Sequence, residues 1–218
     1  MNRRYFIFDK FNSWYDWRCT LTSKSVPPAE PKYNYVEIEG ASGSLDFTEA
    51  LTGEPVYSDR TVNATFMCSE GTHKEREALL RRIITTLHGR KIQIIEPDDP
   101  DHYFLGRVRI LEPQNHLAYL DFEIEATCGP WRYAVNETTR LVTVETGVDV
   151  VIRNEGDKTV IPTVTVDGTV NLTHNGKTYG SMTTGNYLIT DLRLVHGVNV
   201  VGLSGHGSVT FTYREAVL

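Results

Sequence analysis

The sequence predicts a mainly β protein with two domains and a single helix. Helical periodicity is confined to residues 72–88, whereas most other apolar runs alternate with polar residues, as strands do. Beyond about residue 140 no helical pattern occurs, and ten of the 17 glycines lie there. The pattern of the sequence changes at Gly129-Pro130-Trp131. We therefore expect an α+β β-barrel or sandwich domain with one helix over 1–132 and an all-β domain over 133–218.

The N-terminal part begins with short strands separated by turns. Four short alternating segments predict strands: 5–9, 33–38, 45–47 and 62–66. Gly40 and Gly43 follow the second of these segments and predict a strand end and a tight turn. Gly53-Glu54-Pro55 predicts a further break before Tyr57. The result is a shaped polar loop between strands, which is more often a packing or assembly element than a reactive centre.

The one helix is expected between Thr72 and His88. Thr72 and Glu75 have the capping-box spacing, in which each side chain satisfies the other residue's backbone N–H. Five aliphatic residues recur at helical period and predict one apolar face against a sheet: Leu79, Leu80, Ile83, Ile84 and Leu87. Gly89 follows the last turn, where a left-handed cap ends many helices.

A hairpin is expected directly after the helix. Residues 91–95 and 103–110 flank the sequence P-D-D-P-D, and 117–127 form a further alternating strand. Asp98, Asp99 and Asp101 invite comparison with calcium ligands. They lack the ordered oxygen spacing and closing Glu of an EF-hand, so a simple turn is the favoured interpretation.

The C-terminal domain is expected to be a β-sandwich of about eighty residues. Short Val/Thr/Ile runs, each bounded by Gly, Asn or Asp, predict strands at 141–145, 148–153, 160–166, 169–173, 187–190, 198–203 and 208–213. Near-regular spacing with turns between the runs is typical of two packed sheets.

Composition excludes several function classes. The chain has 22 basic and 28 acidic side chains, a net charge of −6, whereas nucleic-acid binders usually carry a basic excess. No apolar run approaches the roughly 18 residues that span a bilayer. The three cysteines, Cys19, Cys68 and Cys128, are widely spaced and odd in number. They predict neither a zinc site nor a disulfide framework, and they fit synthesis in a reducing cytoplasm.

No constellation of catalytic residues is predicted, and neither is a metal or a cofactor. The chain lacks a G-x-S-x-G elbow, a P-loop and an H-E-x-x-H motif, and its seven histidines are never three or four residues apart. Ser204 and His206 are expected in a turn and have no third partner. A hydrolase would need a facing carboxylate pair, and the sequence singles out none.

Aromatic residues leave a binding function open. Large rings usually occupy cores or interfaces, which is the favoured interpretation of Trp14, Trp17 and Trp131. Exposed Tyr179 and Tyr187 would instead make the second domain a weak glycan binder.

The segment Gly40–Arg60 has the sequence G-A-S-G-S-L-D-F-T-E-A-L-T-G-E-P-V-Y-S-D-R. It resembles the N-terminal domain of distal tail (Dit) proteins of long-tailed, non-contractile phages and prophages. The likeness extends through the capped helix and the hairpin to C-G-P-W at 128–131. It continues less specifically in N-E-G-D at 154–157, Pro162 and T-F-T-Y-R-E at 210–215.

The resemblance implies a structural hub of the virion tail tip, made in the cytoplasm of the bacterial host. Its N-terminal domain would form a homohexameric ring, with a galectin-like β-sandwich outside. The implied partners are the tail tube protein, a tail-tip protein of the tail-associated lysin type, and baseplate or receptor-binding proteins where these occur. DNA would pass through the lumen without specific binding, and no membrane is involved.

We hypothesise that this segment makes subunit or domain contacts through Gly43, Leu45, Asp46, Gly53, Tyr57 and Arg60. Asp46 and Arg60 form a candidate ion pair, and packing within one domain is the competing interpretation. We also expect a neutral or acidic lumen, because a basic wall would retain DNA. The alternative functions are a carbohydrate-binding β-sandwich adhesion module and a sandwich-type hydrolase.

Overall fold

The structure, a computed structural model, describes residues 4–218 and is mainly β with one helix, which confirms the predicted fold class. The chain divides into two compact units, one ending at Arg132 and the other covering Tyr133–Leu218. Within residues 4–218, no helix is long and apolar enough to cross a membrane.

The first unit is built on one large antiparallel sheet. Its elements are β1 Ile7–Phe8, β2 Phe11–Asn12, β3 Thr20–Ser25, β4 Tyr35–Glu37, β5 Ser44–Asp46, β6 Arg60–Cys68, α1 His73–Leu87, β7 Lys91–Glu96, β8 Asp99–Asn115 and β9 Leu120–Ala134. The strand order is β2-β1-β7-β8-β9-β6-β3, and β4 and β5 pair only with each other. The predicted hairpin is β7–β8, in which Glu96 lies opposite Asp99.

Helix α1 has the predicted capping box. The Glu75 carboxylate accepts from the Thr72 backbone N–H at 2.7 Å, while the Thr72 hydroxyl accepts from the Glu75 N–H at 3.3 Å. Gly89 has a φ of +76°, which suits the predicted left-handed end. Ile83 and Leu87 are buried in the core. Ile84 is 36 % exposed, so the apolar face is narrower than predicted.

Arg76 is the buried residue on α1 that the apolar pattern did not reveal. Its guanidinium donates to the backbone oxygens of Gly71, His116 and Leu117 at 2.6, 3.1 and 2.7 Å. These bonds satisfy a buried charge and hold the loop between β8 and β9 against the start of the helix.

Aromatic rings form the centre of the first core. Phe6, Phe8 and Phe66 are fully buried, and the rings of Phe66 and Phe122 stack with centroids 5.6 Å apart. Trp17 is buried and stacks on Phe8 at 5.6 Å, as expected for a core residue. Burying one such side chain contributes about 1.5–3 kcal/mol.

A disulfide joins Cys19 to Cys68, so the prediction that no disulfide forms is wrong. Thr20 lies opposite Met67 in the antiparallel ladder between β3 and β6. That register brings Cys19 and Cys68 together with their Cα atoms 4.3 Å apart, although 49 positions separate them in the sequence. Cys128 is free and buried, and burial raises the pKa of its thiol to about 12. The Cys128 thiol is therefore protonated and unreactive at neutral pH.

The second unit is a five-stranded antiparallel sheet with one additional short strand. Its strands are β10 Thr138–Val144, β11 Val148–Asn154, β12 Thr163–His174, β13 Lys177–Leu188, β14 Gly197–Tyr213 and β15 Ala216–Val217. The order is β10-β14-β12-β13, and β11 also pairs with β14. Strands β10 and β11 lie one after the other along β14, opposite residues 207–213 and 197–203 respectively.

Glycines bend this sheet where the sequence predicted turns. The predicted strands 198–203 and 208–213 are one strand, β14, and 160–166 and 169–173 largely merge into β12. Gly205 has a φ of +120°, and a Cβ there would overlap the Thr169 carbonyl oxygen. Gly207 and Gly168 also have positive φ and lie against the neighbouring strand. The sheet curls at these glycines, so both halves of β14 contribute to one buried cluster.

Candidate assembly surface

Residues 27–59 leave the large sheet after β3 and return to it at β6, and we call them the arm. The arm is a two-stranded antiparallel ribbon. The Lys32 N–H donates to the Val56 carbonyl at 2.7 Å, and nearer the tip Val36 lies opposite Leu45. No strand of the large sheet pairs with β4 or β5 in the described chain, so the ribbon has no third strand.

The predicted turn at the tip is present. Gly40 and Gly43 have φ values of +83° and +80°, and Gly53 has +72°. Asp46 is held beside the turn by the Thr48 N–H, which donates to its carboxylate at 2.9 Å. Hydrogen bonds from the Thr48 side chain and backbone lower the pKa of Asp46, so this carboxylate stays charged at neutral pH.

One face of the ribbon is apolar and exposed. Four residues form it, and we call them the apolar row: Val36, Ile38, Leu45 and Phe47. Each is 42–49 % exposed, although alternate positions of a strand normally bury one face. Leu51, in the segment after the ribbon's second strand, is 98 % exposed.

Two isolated strands in water are only marginally stable, so a ribbon of this kind gains stability by packing on a partner. Stable antiparallel sheets usually pack one hydrophobic face against a protein core. Contiguous exposed apolar surface on a soluble protein marks an interaction site. The geometry of the arm therefore indicates an assembly surface.

The arm is also strongly acidic. It contains one basic residue, Lys32, and seven acidic residues: Glu30, Glu37, Glu39, Asp46, Glu49, Glu54 and Asp59. Its net charge of −6 equals that of the whole chain. The rest of the chain contains 21 of the 22 basic and 21 of the 28 acidic side chains, so its charges balance. All seven carboxylate residues are exposed.

Arg60 lies at the root of the arm and is only 6 % exposed. Its guanidinium donates to the carbonyl oxygens of Pro130 and, at 3.3 Å, of Pro27, and it lies 5.2 Å from the centre of the Phe104 ring. Burial and the neighbouring Arg132 lower the pKa of this guanidinium. Arg60 thus ties the outgoing and returning ends of the arm to the end of β9.

Tyr57 shares this root. Its ring packs edge-on against Trp131 with centroids 5.7 Å apart. The structure therefore separates the six predicted contact residues into two groups. Gly43, Leu45, Asp46 and Gly53 lie on the exposed part of the arm, and Tyr57 and Arg60 anchor it.

The candidate ion pair between Asp46 and Arg60 does not form, so that prediction is wrong. The Asp46 carboxylate is engaged by Thr48, and the Arg60 guanidinium by backbone carbonyls. The carbonyl of Pro130 and the ring of Trp131 were missed as partners of Arg60 and Tyr57. Their signal in the sequence was the C-G-P-W motif of residues 128–131, which indicated a domain boundary and a family likeness but no contact with Tyr57 or Arg60.

The carboxylates of the β7–β8 turn form ion pairs with basic side chains and do not have a metal-binding geometry. Lys24 bonds Glu96 and, at 2.8 Å, Asp98, while Arg132 bonds Asp99 at 2.8 Å. The hydrogen bond from Lys24 lowers the pKa of Asp98. In residues 4–218, no group of three or more His, Cys, Asp or Glu side chains is arranged to hold a metal ion.

The other residues considered in the sequence have structural surroundings. Tyr179 donates to the Asp191 carbonyl at 3.0 Å, and the Lys177 ammonium lies 5.4 Å from its ring centre. Tyr187 donates to the Thr183 carbonyl at 2.8 Å and packs against the core. Ser204 and His206 lie within β14, at its bend, and not in a turn before a strand.

Comparison with solved structures shows that this fold is shared with a phage hub protein. The structure superimposes on the crystal structure of the Dit protein of phage SPP1 with a TM-score of 0.70 and 15 % sequence identity, covering 99 % of both chains. That protein is described as a paradigm of the hub adsorption apparatus in phages that infect Gram-positive bacteria.

A second likeness is to a chain of the phage p2 baseplate in its activated, strontium-containing conformation. Its TM-score is 0.50 at 7 % identity, with 99 % of this chain and 98 % of that chain covered. No protein-family model matches the sequence, and no curated protein matches it significantly. The likeness therefore lies in the fold, and the particular fold is that of the SPP1 Dit protein.

Proposed function

We propose that this chain is a distal tail protein of a long-tailed, non-contractile phage or prophage, and a structural hub of the virion tail tip. The observation that carries the proposal is the fold likeness to the SPP1 Dit protein over 99 % of both chains. It is joined by the motif of residues 40–60, most of which lies on the exposed arm, whose ribbon has no third strand in the described chain.

The proposed assembly is a homohexameric ring formed by the first unit, with a galectin-like second unit outside it. Ring formation requires a heterologous interface, in which one patch of a subunit contacts a different patch of the next subunit. An arm that extends from the large sheet is suited to be one of these two patches. Leu45 and Asp46 would make contacts, Gly43 and Gly53 would shape the turns, and Tyr57 and Arg60 would hold the arm in place.

The proposed partners follow from this position in the tail. The ring would join the tail tube protein on one side to a tail-tip protein of the tail-associated lysin type on the other, with baseplate or receptor-binding proteins attached where the phage has them. DNA would cross the lumen without being bound. The balanced charge outside the arm supports a lumen without a basic excess. The protein would be made in the host cytoplasm.

The surroundings of the two tyrosines give little support to glycan binding. A sugar-binding ring presents an open face, whereas the Tyr179 ring has an ammonium group beside it and the Tyr187 ring packs on the core. A structural role, without catalysis, remains the proposal for the whole chain.

The test is the mass and shape of the purified full-length protein. We expect a hexamer by native mass spectrometry and six-fold rings with a central opening in negative-stain images. A monomer at concentrations up to about 100 μM, with measurable affinity for an oligosaccharide, would contradict the hub and favour the adhesion module. A ring with a lysine- and arginine-lined lumen would contradict the proposed channel wall alone.

A further inference from the structure

The disulfide between Cys19 and Cys68 lies at one end of the ladder between β3 and β6, and the arm leaves from the other end. Cys19 comes just before β3, and Cys68 is the last residue of β6. The 49 positions that separate the two cysteines span β3, the whole arm and β6. The disulfide therefore closes a covalent loop that contains every residue of the arm.

Strand β3 has little buried surface of its own. It is the last strand of the large sheet and pairs only with β6 in the described chain. None of its six residues is fully buried, and its ladder to β6 is irregular between Leu21 and Ser23. An edge strand with few buried contacts opens locally more readily than a central strand. The disulfide therefore ties down a strand that is prone to open.

The surroundings of the two sulfur atoms also suit a pair of thiols. Cys19 is fully buried and Cys68 is 2 % exposed, so both lie in the core of the first unit. A free thiol behaves as a small hydrophobic group with a weak S–H donor. The Trp17 carbonyl oxygen lies 3.4 Å from the Cys19 Sγ and would accept that hydrogen bond. The site therefore accommodates both redox states.

The third cysteine does not compete for either partner. Cys128 lies opposite Arg60, at the other end of β6 from Cys68. Eight residues of extended strand separate Arg60 from Cys68, which corresponds to about 27 Å. Burial raises the pKa of the Cys128 thiol to about 12, so this thiol stays protonated at neutral pH. Oxidation therefore joins Cys19 to Cys68 alone.

We propose that Cys19 and Cys68 form a redox switch that is reduced during synthesis and closes to the disulfide after the virion leaves the host cell. The inference rests on the proposed hub function, which places synthesis in a cytoplasm where thiols stay reduced. The oxidant is a small-molecule disulfide such as oxidised glutathione. One cysteine thiolate attacks it and releases one glutathione, and the other thiolate attacks the mixed disulfide and releases the second. The two thiol protons and two electrons end on the two glutathione molecules.

Closing the switch matters because the arm is exposed. Exposed loops are the segments that proteases cut most readily. In the thiol form, a cut in the arm leaves the N-terminal piece, with β1 to β3, held to the rest of the first unit by non-covalent contacts only. In the disulfide form, both pieces remain one covalent molecule. The switch therefore keeps the first unit together in a particle whose arm has been cut.

Counting free thiols tests the switch. Full-length protein made in a bacterial cytoplasm is trapped in denaturant with an alkylating reagent and weighed by mass spectrometry. A second sample is purified and kept with oxidised glutathione before alkylation. We expect three alkyl groups on the first sample, one for each cysteine, and one on the second, at Cys128. A first sample with a single alkyl group, or a second sample with three, would overturn the proposal.

Cleavage of the arm and thermal melts give independent measurements. Oxidised protein cut in the arm should run as one band on a denaturing gel without reductant and as two bands with it. Oxidation should also raise the melting temperature of the first unit by about 10 °C, since it closes a loop of about fifty residues. The variant Cys19→Ala with Cys68→Ala should show neither effect, and the matched control Cys128→Ala should show both. If the double variant fails to fold, the alkyl counts of the wild type decide.

The outcomes separate the switch from the hub. Assembly precedes oxidation in this proposal, so we expect hexamers by native mass spectrometry from both reduced and oxidised protein. Rings that form only after oxidation, or melting temperatures that are equal in the two states, would overturn the switch and leave the hub standing. A protein that gains the disulfide as expected but forms no ring in either state would instead refute the proposed function.

Discussion

The arm and the sheet of the second unit are both antiparallel β structure, yet they use their apolar residues in opposite ways. The second unit curls its sheet so that Val164, Leu172 and Phe211 are fully buried. The arm pairs three residues of β4 with three of β5 and leaves its apolar row nearly half exposed. From this difference we expect the second unit to be stable by itself and the arm to need a partner.

The largest expected effect comes from opening the buried core. Phe211→Ala should destabilise the second unit by about 3–5 kcal/mol, because a large cavity replaces a fully buried ring. Phe47→Ala in the apolar row should leave the unfolding free energy nearly unchanged and weaken assembly instead. Chemical denaturation of both variants, followed by native mass spectrometry, tests the contrast. Equal losses of stability would show that the arm is part of a folded core.

A glycine substitution should separate the two regions next. Gly205→Ala places a Cβ against the Thr169 carbonyl and should cost about 2–4 kcal/mol in strain and overlap. Gly43→Ala has open space around it and a φ of +80°, so it should cost only about 1 kcal/mol. Thermal melts of the two variants measure the difference. A mild effect at Gly205 would show that the bend relaxes easily.

A substitution at the root of the arm should have an effect of intermediate size on the free energy of unfolding. Arg60→Met removes hydrogen bonds to Pro27 and Pro130 and should destabilise the first unit by about 1–3 kcal/mol, since it leaves buried carbonyl groups unsatisfied. Hydrogen exchange at the arm backbone should accelerate in this variant. Arg81→Met on the exposed face of α1 is the control. An Arg60 variant as stable as this control would remove Arg60 from the root.

The smallest expected effect concerns the charge state of the arm. The folded pKa of Asp46 lies below its unfolded value, so its contribution is present above the unfolded pKa and is lost as the pH falls through the folded pKa. Thr48→Val removes the largest cause and should raise the Asp46 pKa toward its ordinary value. Carboxyl titration by NMR measures it, with Thr52→Val as the control. An unchanged pKa would mean that Thr48 does not hold Asp46.

What could be predicted from the sequence was mostly local. The capping box of Thr72 and Glu75 and the turn glycines of the arm depend on neighbours a few residues away, and the structure has both. The disulfide between Cys19 and Cys68 depends on the register of two strands distant in sequence, which no local pattern reveals.

The assembly surface was only partly predictable for the same reason. The segment Gly40–Arg60 was found from its motif, but sequence proximity suggested an Asp46–Arg60 pair that the ribbon geometry does not make. In the second unit, the glycines between apolar runs predict turns. Gly205 instead lies inside the continuous strand β14 and permits the close approach of a neighbouring strand. A glycine in the sequence does not by itself distinguish a turn from such a close approach.

The concentration of charge in residues 27–59 has a practical consequence. Removal of this segment would take away the entire excess of acidic over basic residues and leave a chain close to neutral. The isoelectric point of the protein would therefore rise toward neutrality when a protease removes the arm. Isoelectric focusing of a preparation would report directly on the fraction of molecules that still carry an intact arm.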